Sequence, residues 1–147
     1  MPRPVTPFVG CDVFVVNERK EVLLIKRSDN GFWALPGGAH DLGETPARTA
    51  ARECFEETGL KVEITSLLGL WSSNCYEYVN YPWKENEFVH VLYAARVTGG
   101  VLRGSAESLE VGWFTEVALP PLSDGHLVRI EFGFRSMRDQ ALPAYFE

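Results

Sequence analysis

A helix with both ends specified by the sequence constrains this chain more than any other feature. Thr45 is an N-cap residue, Pro46 occupies the first helical position, and Gly59 supplies the left-handed residue that closes the last turn. At 100° per residue, Ala47, Ala50, Ala51, Cys54, Phe55 and Thr58 share one side, which is expected to be buried. Glu53, Glu56 and Glu57 span an arc of about 100° that points largely away from that stripe. Local physics disfavours this placement. Each like-charge pair at i,i+3 or i,i+4 destabilises a helix by about 0.2–0.5 kcal/mol. A carboxylate near the negative end of the macrodipole is disfavoured by about 0.3–1 kcal/mol. Arg52, four residues before Glu56, offsets only part of this. A divalent cation would remove the conflict, because Mg²⁺ takes carboxylate, phosphate and water oxygens. A solvated acidic helix end is the other reading of the same pattern.

The flanking segments set the fold class. Residues 9–16 and 21–27 are apolar runs joined by a polar turn over 17–20, and read as two strands. Residues 28–43 contain Gly31, Pro36, Gly37, Gly38 and Gly43 and read mostly as loop. Strands are expected over 61–71, 87–97 and 108–114, with a polar, aromatic stretch at 72–86 and a turn at Gly99-Gly100. Leu127, Ile130, Phe134 and Met137 fall on one helical face and predict a second helix, against which Gly133 counts. Strands on both sides of a well-capped helix indicate a mixed α/β architecture. The 147 residues suit one domain, residues 1–147.

Composition excludes several classes. Fourteen Lys and Arg against 20 Asp and Glu leave a net charge of −6, which argues against binding a nucleic-acid polymer. No apolar run approaches membrane-span length, so no membrane association is expected. Cys11, Cys54 and Cys75 form no C-x-x-C pair, and the first ten residues contain no signal-type apolar core. The expectation is a soluble, cytoplasmic protein.

From Gly38 the chain reads GAHDLGETPARTAARECFEETGL. This resembles the Nudix box, G-x5-E-x7-R-E-U-x-E-E-x-G-U, where U is a bulky aliphatic residue. Gly38, Glu44, Arg52, Glu53, Glu56, Glu57 and Gly59 occupy all seven fixed positions, and Leu60 fits the last U. Cys54 departs at the first U, although a free cysteine behaves as a small hydrophobe. At ordinary residue frequencies such agreement arises by chance about once in 10⁸ start positions.

The resemblance implies a Nudix fold, an α/β/α sandwich with a mixed sheet. It also implies hydrolysis of a nucleoside diphosphate linked to a further group X, with Mg²⁺ or Mn²⁺ as cofactor. It assigns metal ligation to Glu53, Glu56 and Glu57, with a backbone carbonyl from Gly37 or Gly38. Arg52 would orient the carboxylates and pair with Glu44. The general base stays open between Glu53, Glu56 and the downstream Glu107 or Glu110. Arg27, at the end of a strand, looks like the family's phosphate contact.

The choice of X is expected to come from outside the box. The aromatic cluster of Trp71, Tyr76, Tyr78, Tyr81, Trp83 and Phe88 offers faces on which a base could stack, though core or dimer contacts explain such residues equally well. Relatives that cleave ADP-ribose often carry a proline some fifteen residues after the box, where this chain has Cys75. Relatives that cleave dinucleoside polyphosphates often carry a tyrosine there, as Tyr76 and Tyr78 do here. The expected substrate is a small nucleotide: a nucleotide sugar such as ADP-ribose, or a (deoxy)nucleoside triphosphate. A dinucleoside polyphosphate is one alternative, and a non-catalytic nucleotide-sensing module is another. His40, His90 and His126 receive no role. The surplus of aromatics leaves room for a homodimer.

Overall fold

A computed structural model describes residues 6–77 and 86–147. Tyr78, Tyr81, Pro82 and Trp83 lie outside the described residues. The chain forms β1 (Phe8–Val15), β2 (Val22–Arg27), β3 (Trp33–Ala34), β4 (Gly37–Ala39), α1 (Pro46–Thr58), β5 (Leu60–Ser72), a 3₁₀ turn (Ser73–Cys75), β6 (Phe88–Gly100), β7 (Ser108–Phe114) and α2 (His126–Arg138). Four strands make a mixed sheet in the order β4-β1-β6-β5, in which β1 and β6 are parallel and the other pairs antiparallel. Three more form an antiparallel sheet in the order β3-β2-β7.

The period of two along β1 builds a core on each face of the larger sheet. Cys11, Val13 and Val15 point to one side and pack with Ala50 and Cys54 of α1. Phe14 points to the other, with Leu24 of β2 and with Ile130 and Phe134 of α2. Helix, sheet and helix are thus layered as expected. Gly133 is what lets α2 lie flat. A Cβ there would sit 2.5 Å from the Phe14 ring, which packs edge-on against Phe134 at 5.2 Å.

Several sequence readings need correction. The turn after β1 is present, with Lys20 N–H donating to the Asn17 carbonyl, but β1 and β2 do not pair as a hairpin. They share one bridge, Val16 with Val22, and then enter different sheets. Residues 28–43 contain two short strands, held to β1 and β2 by antiparallel ladders. Gly99 and Gly100 do not turn the chain; they extend β6 against Lys61 and Leu60. In α2, Leu127 is exposed, and the buried face instead carries His126 and Arg129. No helix among the described residues is long and apolar enough to cross a membrane.

Candidate active site

α1 begins and ends as its sequence dictates. Thr45 accepts from Arg48 N–H at 3.3 Å, and left-handed Gly59 donates to the Phe55 carbonyl at 2.8 Å. The helix is rotated, however, relative to the wheel expectation. Its buried residues are Thr49, Ala50, Cys54, Glu57 and Thr58, while Phe55 is exposed. Phe55 instead lies beneath the Arg103 guanidinium, 5.4 Å from the ring centroid. The consequence is chemical, because Glu57 is carried into the interior, only 6 % exposed.

The three box carboxylates therefore differ in their surroundings. Glu57 accepts Gly37 N–H at 2.8 Å. Glu53 lies half-buried against Gly38, where a Cβ would sit 2.6 Å from the Glu53 carboxyl carbon. Glu56 is exposed and bound to Arg52 at 3.1 Å. Glu107 joins Glu53 and Glu57 in an acidic group. One carboxylate oxygen from each of Glu53, Glu57 and Glu107 lies within 4.8 Å of the others. Two hydrogen bonds carry Glu107 there. Ser28 N–H donates to its carbonyl at 3.1 Å, and the neighbouring Ser108 hydroxyl donates to the Glu57 carbonyl at 2.6 Å. Glu110 lies outside this group, on β7 opposite Lys26.

Arg52 organises the rim. Its Nε and Nη2 donate to Glu44 at 2.8–3.1 Å, and its Nη1 reaches Glu53 at 3.2 Å and Glu56 at 3.1 Å. This hydrogen bonding holds the Glu44 carboxyl below its usual range. Arg52 does not reach Glu57, which has no cationic side chain at ion-pair distance among the described residues. Burial, reinforced by Glu53, Asp12 and Glu107, pushes the Glu57 carboxyl well above the usual glutamate value against the opposing Gly37 hydrogen bond. Burial raises Glu53 as well. A buried anion beside two like charges fits a divalent cation, since hard cations take carboxylate oxygens. Gly37 and Gly38 are glycines because of close approach. At Gly37 a Cβ would meet the Asp12 carboxylate at 2.1 Å.

The acidic trio lines one side of a cleft of about 470 Å³ between the two sheets. Arg27 lines it too, with its guanidinium on Asp29 at 2.5–2.8 Å. Tyr76 lines a separate, smaller cavity with Trp71 and Tyr145, and its hydroxyl accepts from Arg129 at 3.3 Å. Trp71 belongs to the core, stacked on Tyr145 at 4.8 Å. Of the described members of the aromatic cluster, Phe88 lines the cleft.

A buried polar group here escaped the sequence reading. Arg129 is fully buried; it donates to Asp12 at 3.2 Å and packs against His126. His126 accepts Leu35 N–H at 3.1 Å on Nδ1, and burial holds the ring neutral by lowering its pKa well below the usual value. The available signal was a charge inside an apolar pattern, since Asp12 interrupts the β1 run and Arg129 adjoins Ile130 on the α2 face. Such charges are seldom buried without a partner.

Comparison with known proteins agrees with this architecture. The chain is 40 % identical over 101 residues to a MutT-like protein of Streptomyces ambofaciens, covering 69 % of this chain and 59 % of that one. It is 38 % identical over 120 residues to the 8-oxo-dGDP phosphatase of Mus musculus, covering 77 % of this chain and 33 % of that one. It is 34 % identical over 123 residues to the ADP-ribose pyrophosphatase of Methanocaldococcus jannaschii, covering 82 % and 69 %. The chain therefore spans a third to about two thirds of the length of these relatives. The crystal structure of a UDP-X diphosphatase superposes with a TM-score of 0.86 over 99 % of this chain and 70 % of that one, at 21 % identity, which speaks to the fold alone. The NUDIX domain profile matches residues 6–132, and the chain belongs to the Nudix family.

Proposed function

We propose that this protein is a divalent-metal-dependent pyrophosphohydrolase. Its substrate is a nucleoside diphosphate linked to X, either a nucleotide sugar such as ADP-ribose or a (deoxy)nucleoside triphosphate. The products are a nucleoside monophosphate and phosphorylated X or pyrophosphate. The observation that carries this reading is the convergence of Glu53, Glu57 and Glu107 within 4.8 Å on a cleft that Arg27 also lines. Relatives acting on ADP-ribose and on 8-oxo-dGDP support the substrate class.

Glu53, Glu57 and Glu107 would hold Mg²⁺ or Mn²⁺, with Gly37 or Gly38 leaving room for backbone approach. Bound there, the cation supplies charge neutralisation to the pyrophosphate. Arg52 keeps Glu53 and Glu56 oriented, and Arg27 meets a phosphoryl oxygen. A carboxylate of the trio takes the proton from the attacking water as its oxygen bonds to phosphorus. The bridging oxygen then leaves with the electron pair. Glu56 stands outside the trio, paired with Arg52 on the rim. A cytoplasmic location suits a chain whose three cysteines are free.

A product screen tests this reading, using nucleotide sugars, ADP-ribose, (d)NTPs and dinucleoside polyphosphates with Mg²⁺ or Mn²⁺. Release of a nucleoside monophosphate from the first two or the third class supports it. Tight binding without turnover across the panel would support a sensing module instead.

A further inference from the structure

The end of α1 is capped by a segment that lies far from it in sequence. The last carbonyls of a helix have no partner within it. Here those of Glu57, Thr58 and the cap residue Gly59 each accept a bond from residues 101–108. Val101 N–H donates to Gly59 at 3.2 Å, Arg103 N–H to Thr58 at 2.7 Å, and the Ser108 hydroxyl to Glu57 at 2.6 Å. Gly100 permits this crossing, because a Cβ there would lie 2.2 Å from the Gly59 carbonyl oxygen. The three donors also meet the negative end of the helix dipole, in the turn that carries Glu57.

Within this segment Ser108 stands apart. It is the one buried residue of 101–110, set between exposed Glu107 and exposed Leu109. A serine hydroxyl carries one hydrogen, and that of Ser108 is directed at the Glu57 carbonyl. The Ser105 hydroxyl, 2.9 Å away, therefore donates to Ser108. Ser105 Oγ in turn accepts the Glu107 N–H at 3.2 Å. The result is a directed chain that runs from the Glu107 amide through two hydroxyls to the Glu57 carbonyl. It joins the backbones of two residues whose carboxylate oxygens lie within 4.8 Å of each other. Ser28 N–H, just past β2, holds the Glu107 carbonyl at 3.1 Å. Glu107 is thus fixed at both its amide and its carbonyl, although the residue is exposed.

We propose that Ser108 and Ser105 are positioning residues that set Glu107 beside Glu57, so that this carboxylate stands ready for the cation before a nucleotide arrives. This rests on the metal-dependent reading, and Mn²⁺ binding without nucleotide or turnover tests it. Electron paramagnetic resonance of free Mn²⁺ gives the affinity. Ser108→Ala should weaken Mn²⁺ binding about tenfold, the scale of loss when a group supporting a metal ligand is removed. In a Glu107→Gln background the same substitution should change the affinity less than about twofold, because residues that act through one contact are not additive. Ser105→Ala, at a partly buried residue, should show the same dependence on Glu107, and it keeps the test open if Ser108→Ala does not fold. Wild-type affinity in the serine variants would overturn the proposal. A loss that persists undiminished in Glu107→Gln would overturn it too, since that is a general loosening of the end of α1. A wild-type protein that binds no Mn²⁺ would instead overturn the metal-dependent reading, and the proposal with it.

Discussion

Replacing Glu57 by Gln should stabilise the metal-free protein. Glu57 is buried, accepts one backbone hydrogen bond and faces Glu53 and Glu107 within 4.8 Å. At that separation a like-charge pair costs about 1 kcal/mol in water and about 3.5 kcal/mol at an effective dielectric of 20. Glutamine keeps the shape and the carbonyl acceptor for Gly37. Its neutral acceptor forfeits about 1 kcal/mol of the charge-assisted bond. The net gain is about 1–3 kcal/mol, or about 3–10 °C in Tm for a chain of this size. The sign has a pH signature. The folded pKa of Glu57 is raised, so the penalty is absent below the unfolded glutamate value and grows as pH rises through the folded one. Wild type and Glu57→Gln should therefore coincide near pH 4 and separate toward neutrality. Added Mg²⁺ or Mn²⁺ reverses the order, because a ligand at a hundred times its Kd contributes about 2.7 kcal/mol to wild type and far less to the variant. Differential scanning fluorimetry in EDTA and in metal, from pH 4 to 8, reads all of this. A variant that is less stable than wild type in EDTA, or that keeps the full metal-dependent rise in Tm, would refute the argument.

Gly38→Ala should lower kcat sharply with little change in Tm, since the added methyl collides with the Glu53 side chain rather than with backbone; steady-state kinetics alongside a melt checks it. Arg52→Ala should likewise cut turnover more than stability, because its partners Glu44, Glu53 and Glu56 lie on a partly exposed rim; restored turnover in Arg52→Lys would show that charge, not fork geometry, matters. Asp12→Asn should cost about 3–5 kcal/mol in urea denaturation by leaving buried Arg129 without its anion. Asp12→Leu combined with Arg129→Met should recover much of that loss.

The sequence disclosed what local chemistry controls. Thr45, Pro46 and Gly59 mark α1 because caps act within one turn. Ser108–Phe114 was readable to the residue. The Nudix resemblance supplied the mixed sheet layered between helices. What stayed hidden depends on distant contacts. The rotation of α1 was misread because Ala, Thr and Cys barely distinguish one helix face from another, and packing against β1 and β5 decided which carboxylate went inside. Glu107 joins Glu53 and Glu57 through bonds between segments about 50 to 80 residues apart. The Asp12–Arg129 pair spans 117 residues, so neither charge could announce its partner locally. Gly133 weakened the second helix when read as propensity, yet it is what allows α2 to rest on Phe14.

The most direct test of the central claim compares wild type with Glu57→Gln on whichever nucleotide the product screen identifies, in Mg²⁺, in Mn²⁺ and after chelation with EDTA. The account predicts that wild type releases a nucleoside monophosphate only while metal is present. It predicts that the folded variant, with its nucleotide binding intact, releases almost none under any condition. Turnover in Glu57→Gln at the wild-type rate, or wild-type turnover that persists in EDTA, would contradict it.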